Sequence, residues 1–229
     1  MTPKHLVLFD IDGTLISTNG HGVNAMMEAY HAVWGADGKS VAYSMSGKTE
    51  FQISHELLKL LGYDRVQVNQ GLPEFFRHYP QALRRHLTPE RTVVHPGVRE
   101  LVAQIKTHPE TVLGLLTGNC EEAARIKMEI AGLEGFEVGA YGEHHENRAD
   151  LPQLAVEHAR LGLGLEFSGR QLVIIGDTPN DIHCARAAGG KAIAVATGQF
   201  DTRALASHEP DFVFENLAQV EQVMGAILS

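Results

Sequence analysis

The chain carries only two cysteines, Cys120 and Cys184, among 229 residues. That excludes a disulfide framework, and it predicts a reducing compartment. Neither thiol has zinc-type spacing, and the 13 histidines scatter without an HExxH pattern. Basic charge is also scarce: 19 Lys+Arg stand against 28 Asp+Glu, a net charge of −9. Such an acidic surface argues against a nucleic-acid partner. No apolar run approaches membrane-spanning length. The first strand pattern begins by Leu6, leaving no room for a signal peptide. These absences predict a soluble, cytoplasmic protein. What is present is an ordinary globular mix, 44% hydrophobic and 21% charged, able to bury a full core.

The stretch Leu6-Val7-Leu8-Phe9-Asp10-Ile11-Asp12-Gly13-Thr14-Leu15 organises the rest. Four consecutive apolar residues read as a strand buried on both faces. Two carboxylates follow, one residue apart. Held close, they repel, and must shift pKa, gain a proton or share a cation. The working assignment makes Asp10 a nucleophile, Asp12 its acid/base partner, and Mg2+ the cation shared with a phosphate.

Residues 17–92 contain no convincing strand. Helices are expected at Val23–Trp34, Phe51–Leu61 and Pro73–Leu87, the first with a methionine and aromatic stripe suited to a core. From Val93 strands and helices alternate. His95-Pro96-Gly97 opens a helix, with Pro96 in its early turn. Strands are expected at 111–116, 136–141, 171–175, 192–195 and 211–214, with helices between and after them. Alternation of this kind implies right-handed crossovers and a doubly wound parallel α/β sheet. The expected division is an α/β core of residues 1–16 and 93–229, with a helical cap of residues 17–92.

Polar breaks follow the strands at Asp10, Thr117, Gly176-Asp177 and Thr197. In an open parallel sheet those positions share the carboxyl edge, where ligands bind. In Gly176-Asp177-Thr178-Pro179-Asn180-Asp181, Thr178 suits the N-cap, Pro179 the first helical position and Asp181 the third. Asp181 therefore has a capping role available. Asp177 precedes the cap and is free to hold a metal. Mg2+ takes oxygen ligands, so Asp10, Asp12 and Asp177 form the expected set, with Asp181 in support. Thr117-Gly118-Asn119 is either a plain capping turn or a phosphate cradle of hydroxyl, amide and backbone N–H groups. Arg148, before a helix, is either a solvated arginine or the cation for that phosphate.

Together these motifs resemble the haloacid dehalogenase-like hydrolases, in the branch of the phosphoglycolate phosphatases and β-phosphoglucomutases. The resemblance spans nearly the whole chain. It implies attack by Asp10 on phosphorus to form an aspartyl-phosphate. Asp12 would protonate the leaving group and then activate water. Mg2+ would be held by Asp10, the Asp12 carbonyl and Asp177, with Gly13, Thr117, Gly118 and Asn119 around the phosphoryl oxygens. The family's usual cation is a lysine. Arg148 is the candidate here, with Lys127, inside an expected helix, as the fallback. Dehalogenase members lack an acid at the position of Asp12, so a small phosphorylated metabolite is the expected substrate.

Ser46-Gly47-Lys48-Thr49 looks like part of a nucleotide loop, but Ala42 stands where the earlier glycine is required. Lys48 is either a solvated helix-start lysine or a cap residue reaching the substrate. A phospho-accepting signalling receiver would be about half this length. A dinucleotide-binding reading of Gly20-His21-Gly22 fails because no strand directly precedes it. A phosphomutase shares the aspartyl-phosphate and remains the alternative outcome. Oligomeric state is open at this level.

Overall fold

The computed structural model describes residues 3–143 and 145–229. Its frame is a six-stranded parallel sheet built from β1 (His5–Phe9), β4 (Thr111–Thr117), β5 (Val138–Tyr141), β6 (Leu172–Gly176), β7 (Lys191–Val195) and β8 (Phe212–Phe214). The order is β5-β4-β1-β6-β7-β8. β1 lies at the centre because both its edges are paired: Leu8 aligns with Gly114 of β4 and Ile174 of β6. Both its faces are covered too. Val7 and Phe9 point into a core shared with α4 (Val98–Thr107), α5 (Glu121–Ala131) and α9 (Val220–Leu228). Leu6 and Leu8 point the other way, against α6 (Leu151–Leu163), α7 (Pro179–Ala187) and α8 (Thr202–Ala206). The continuous apolar run of β1 follows from this double burial.

Connections from β1 leave toward β4 on one side, and the chain later returns to β6 on the other. The strand order reverses there, which opens a crevice at the carboxyl ends of β1, β4 and β6.

Between β1 and α4 the chain forms α1 (His21–Trp34), α2 (Glu50–Leu60) and α3 (Arg65–His86). They enter and leave through an antiparallel ribbon of β2 (Ile16–Ser17) and β3 (Val93–Val94), with Ile16 opposite Val94. The three helices share a core in which Tyr30 stacks on Phe75, ring centroids 4.8 Å apart. Cys120, the N-cap of α5, and Ala123 and Ile126 within it belong to this second core, while Ala124 and Met128 belong to the sheet core. α5 is thus sandwiched between the sheet and the three helices.

Several boundaries differ from expectation. α3 starts at Arg65, under a capping box of Asp64 and Gln67, and carries Pro73 and Pro80 inside its 22 residues. A proline expected to start the helix is tolerated within it. α4 starts after Gly97, whose φ of 80° places it in the left-handed region, so Pro96 lies outside the helix. α8 was not anticipated; it is one short turn capped by Asp201. No helix among the described residues is long and apolar enough to cross a membrane.

Candidate active site

The crevice holds a cavity of about 400 Å³. Asp10, Thr117, Asp177 and Thr197, each at or just past the end of a different strand, all line it, as do Asp12, Gly13, Gly118, Asn119, Lys48, Lys127 and Arg148.

Asp10 is buried at the end of β1, and its backbone N–H donates to Ile175 O at 3.0 Å. Burial raises its pKa to about 6 against the pull of Arg148, with Asp181 and Asp12 adding repulsion. Asp177, also buried, is pushed up to about 8 by burial and by the neighbouring Asp181 and Asp10. One oxygen from each of Asp10, Asp177 and Asp181 lies within 4.8 Å of the others. Thr14, buried, donates its hydroxyl to Asp177 Oδ1 at 3.1 Å. Gly13 and Gly198 pack so tightly on Asp177 that a Cβ at either would overlap its carboxylate. Crowded oxygens of this kind fit a hard divalent cation. Asp181, expected in support, joins Asp10 and Asp177 in this group, while the Asp12 carboxylate is drawn elsewhere.

Asp12 Oδ2 accepts from Lys127 Nζ at 2.6 Å and from Asn119 Nδ2 at 2.9 Å. Lys127 also donates to Asn119 Oδ1 at 2.6 Å, so the amide is oriented from both ends. Asn119 Nδ2 reaches Thr117 Oγ1 as well, at 2.7 Å. Thr117 accepts here, which leaves its hydroxyl proton for a ligand. The Asn119 and Cys120 backbone N–H groups already donate to Thr117 Oγ1 and Glu50 Oε2, so the expected backbone cradle is partly engaged.

The two candidate cations are both buried and do different things. Arg148 Nη2 lies 3.1 Å from Asp10 Oδ1 and 2.6 Å from Asp181 Oδ1. Burial opposes its charge, but Asp10 and Asp181 outweigh that and raise its pKa. Asp181 Oδ2 meanwhile accepts from Thr178 N at 3.0 Å and Thr178 Oγ1 at 2.7 Å, completing the capping box of α7. Asp181 thus both caps and anchors Arg148. Lys127, 3% exposed, is the cation on Asp12. Lys48 lines the cavity, but its ammonium is held by Glu56 Oε2 at 2.7 Å and Tyr43 Oη at 3.1 Å.

Thr197, one of the four strand-end breaks expected to share this edge, lines the cavity, and its hydroxyl donates to Gly13 O at 2.5 Å and fixes the loop after β1. One charged cavity residue was not foreseen. Glu50, the first residue of α2, is 2% exposed and lines the same cavity. It starts a helix, where an acid is unremarkable, so its sequence position carried no signal.

A family model for haloacid dehalogenase-like hydrolases matches residues 4–189. The chain belongs to this family. It is therefore an enzyme, a hydrolase by family. A phosphoglycolate phosphatase of Chromobacterium violaceum is 28% identical over 235 residues, covering 98% of this chain and 99% of the relative. The pyrophosphatase PpaX of Bacillus pumilus is 26% identical, covering 96% of each. Among solved structures, β-phosphoglucomutase from Clostridium difficile superposes with a TM-score of 0.71 over 99% of this chain and 98% of that one. At 15% identity this shows a shared fold.

Proposed function

We propose that this hydrolase is a Mg2+-dependent phosphatase acting on a small phosphomonoester. The observation that carries the reading is the arrangement of Asp10 and Asp12 around one cavity. Asp10 sits among carboxylates and a guanidinium, and Asp12 is held by an ammonium and an amide. In the first step Asp10 attacks phosphorus, and the bond to the leaving oxygen breaks as Asp12 gives it a proton. In the second, Asp12 takes a proton from water, which attacks the aspartyl-phosphate and releases inorganic phosphate. Lys127 and Thr117 supply positive charge and a hydroxyl donor to the phosphoryl oxygens. Arg148 fixes the Asp10 carboxylate and offsets its charged neighbours. Asp10 and Asp177, with Asp181 beside them and the Asp12 carbonyl, would hold Mg2+, which supplies further neutralisation of developing charge.

The helical segment of residues 17–92 acts in this reading as a cap that covers the cavity. Its contact with the core is direct. Glu50 N donates to Gly118 O at 2.8 Å, and Asn180 Nδ2 to Gly47 O at 2.8 Å. The sequence relatives carry phosphatase names, which favours hydrolysis over the mutase outcome. Free, buried Cys120 and Cys184 fit a reducing cytoplasm. The test is phosphate release from a panel of phosphomonoesters, with Mg2+ and with EDTA. Turnover is expected with Mg2+ alone, and Asp10→Asn should abolish it. Retention of the wild-type rate by that variant would remove Asp10 from the nucleophile role.

A further inference from the structure

The cap contributes one buried acid to the cavity, and that acid is half-partnered. Glu50 Oε2 accepts from the Cys120 backbone N–H at 2.8 Å. Its other oxygen, Oε1, is buried without a hydrogen-bond partner. The carboxyl is close enough to Lys127 and Asp12 to feel both electrostatically, and it lines the cavity with Ile53 and Tyr79 of the same helical segment. A buried acceptor without a donor costs on the order of 1–3 kcal/mol. The first turn of α2 is held rigidly. Thr49 caps it and donates to His145 O at 2.6 Å, and Glu50 N binds Gly118 O. The backbone of Glu50 and one of its carboxyl oxygens are thus held at the wall of the cavity that Asp12 also lines. Lys48, the cap cation that could greet an anionic leaving group, is tied to Glu56 and Tyr43 instead.

From this placement we propose that Glu50 selects the leaving group. The preferred phosphomonoester carries a hydrogen-bond donor, a hydroxyl or an ammonium, beyond the ester oxygen, and a carboxylate there is rejected. The proposal rests on the phosphatase reading above and names its substrate class. A donor on the leaving group would satisfy Glu50 Oε1. Burial raises the Glu50 pKa to about 7, so above that pH a leaving-group carboxylate would set acceptor against acceptor. The resulting preference differs from the substrate named for several relatives, phosphoglycolate.

The experiment compares matched phosphomonoesters whose two- and three-carbon leaving groups end in hydroxyl, ammonium, carboxylate or methyl. The methyl compounds offer Glu50 nothing and report phosphoryl transfer alone. In the wild type with Mg2+ at pH 8.5, where Glu50 is ionised, kcat/KM for the better of the hydroxyl and ammonium series should exceed that for the carboxylates at least tenfold. The order of those two identifies which donor the site takes. Glu50→Gln keeps an acceptor for Cys120 and turns a donor into the cavity, so it should shift the donor-to-carboxylate ratio at least tenfold toward carboxylate. An unmoved ratio in a variant with wild-type circular dichroism overturns the proposal. If the variant does not fold, the wild-type series alone decides. Turnover of the methyl compounds with equal or better use of the carboxylates sinks the role of Glu50 and leaves the phosphatase reading standing. No turnover of any compound removes both.

Discussion

The two buried cations of the cavity separate by the exposure of what they touch. Arg148 faces Asp10 and Asp181, whose side chains are 7% and 2% exposed. Lys127 faces Asp12, whose side chain is 43% exposed. Removing one partner of a buried pair strands a desolvated charge, at a cost of roughly 3–5 kcal/mol. A solvated partner finds water instead. Arg148→Ala is thus expected to destabilise the protein by about 3 kcal/mol, read by chemical denaturation in EDTA. Lys127→Met should cost markedly less stability but at least about tenfold in kcat, or some 1.4 kcal/mol of barrier. The reverse pattern, with Arg148 affecting only turnover and Lys127 only stability, would exchange their roles. Arg148 was legible in the sequence as a cation ahead of a helix. Lys127 was legible as the fallback cation and ranked second for lying inside an expected helix, because nothing in its own segment says that α5 is covered on two sides.

At the scale of elements, pattern reading succeeded where one physical cause dominated. The apolar runs of β1, β4 and β6 are buried on both faces, so their composition announces them. The capping box of α7 follows from Thr178, Pro179 and Asp181 in order. Where two rules compete, sequence and structure part. Pro73 signals a helix start, yet α3 begins at Arg65 and runs through it, because Val68, Leu72, Phe75, Tyr79 and Leu83 bury one continuous face. Glu50 was missed for a related reason. Its burial depends on the loop after β4, some seventy positions away. Lys191 is a further case of long-range use. It opens β7, fully buried, and donates to the carbonyls of Ala226 at 2.7 Å, Ile227 at 2.9 Å and Ser229 at 2.6 Å. These are carbonyls at the end of α9 that lack helical donors, and a cation there also meets the favourable end of the helix dipole. Lys191→Met should therefore lower stability by about 2 kcal/mol, on the scale of charged hydrogen bonds. Phosphate release per folded molecule should stay unchanged. An unaltered denaturation midpoint would show that α9 does not need this cap.

For the whole molecule, the acid cluster links stability to pH and to metal. Asp10 and Asp177 have raised pKa values in the folded state, about 6 and about 8, against 3.8 for the free side chain. Folding therefore favours their protonated forms. The stability they contribute is full below about pH 4 and is lost as pH rises through 6 and then 8. Burial is the first cause in both, so the metal-free protein should weaken between pH 5 and 8.5, when many proteins are near their best. On the proposed reading a divalent cation would reverse the sign, because it would bind the ionised carboxylates and only the folded chain brings them together. Mg2+ at a hundred times its Kd should add about 2.7 kcal/mol. That corresponds to a Tm rise of roughly 5–10 °C for a chain of this size. The rise should be larger at pH 8 than at pH 6, where protons compete for the same oxygens. Asp177→Asn removes one carboxylate from the cluster. It should raise the Tm in EDTA at pH 8 and abolish most of the Mg2+ response. Differential scanning calorimetry of both proteins, at two pH values with and without Mg2+, reads all of these together. A wild-type Tm that rises with pH in EDTA, or an Asp177→Asn protein that Mg2+ stabilises fully, would mean that these carboxylates are not the cation's ligands.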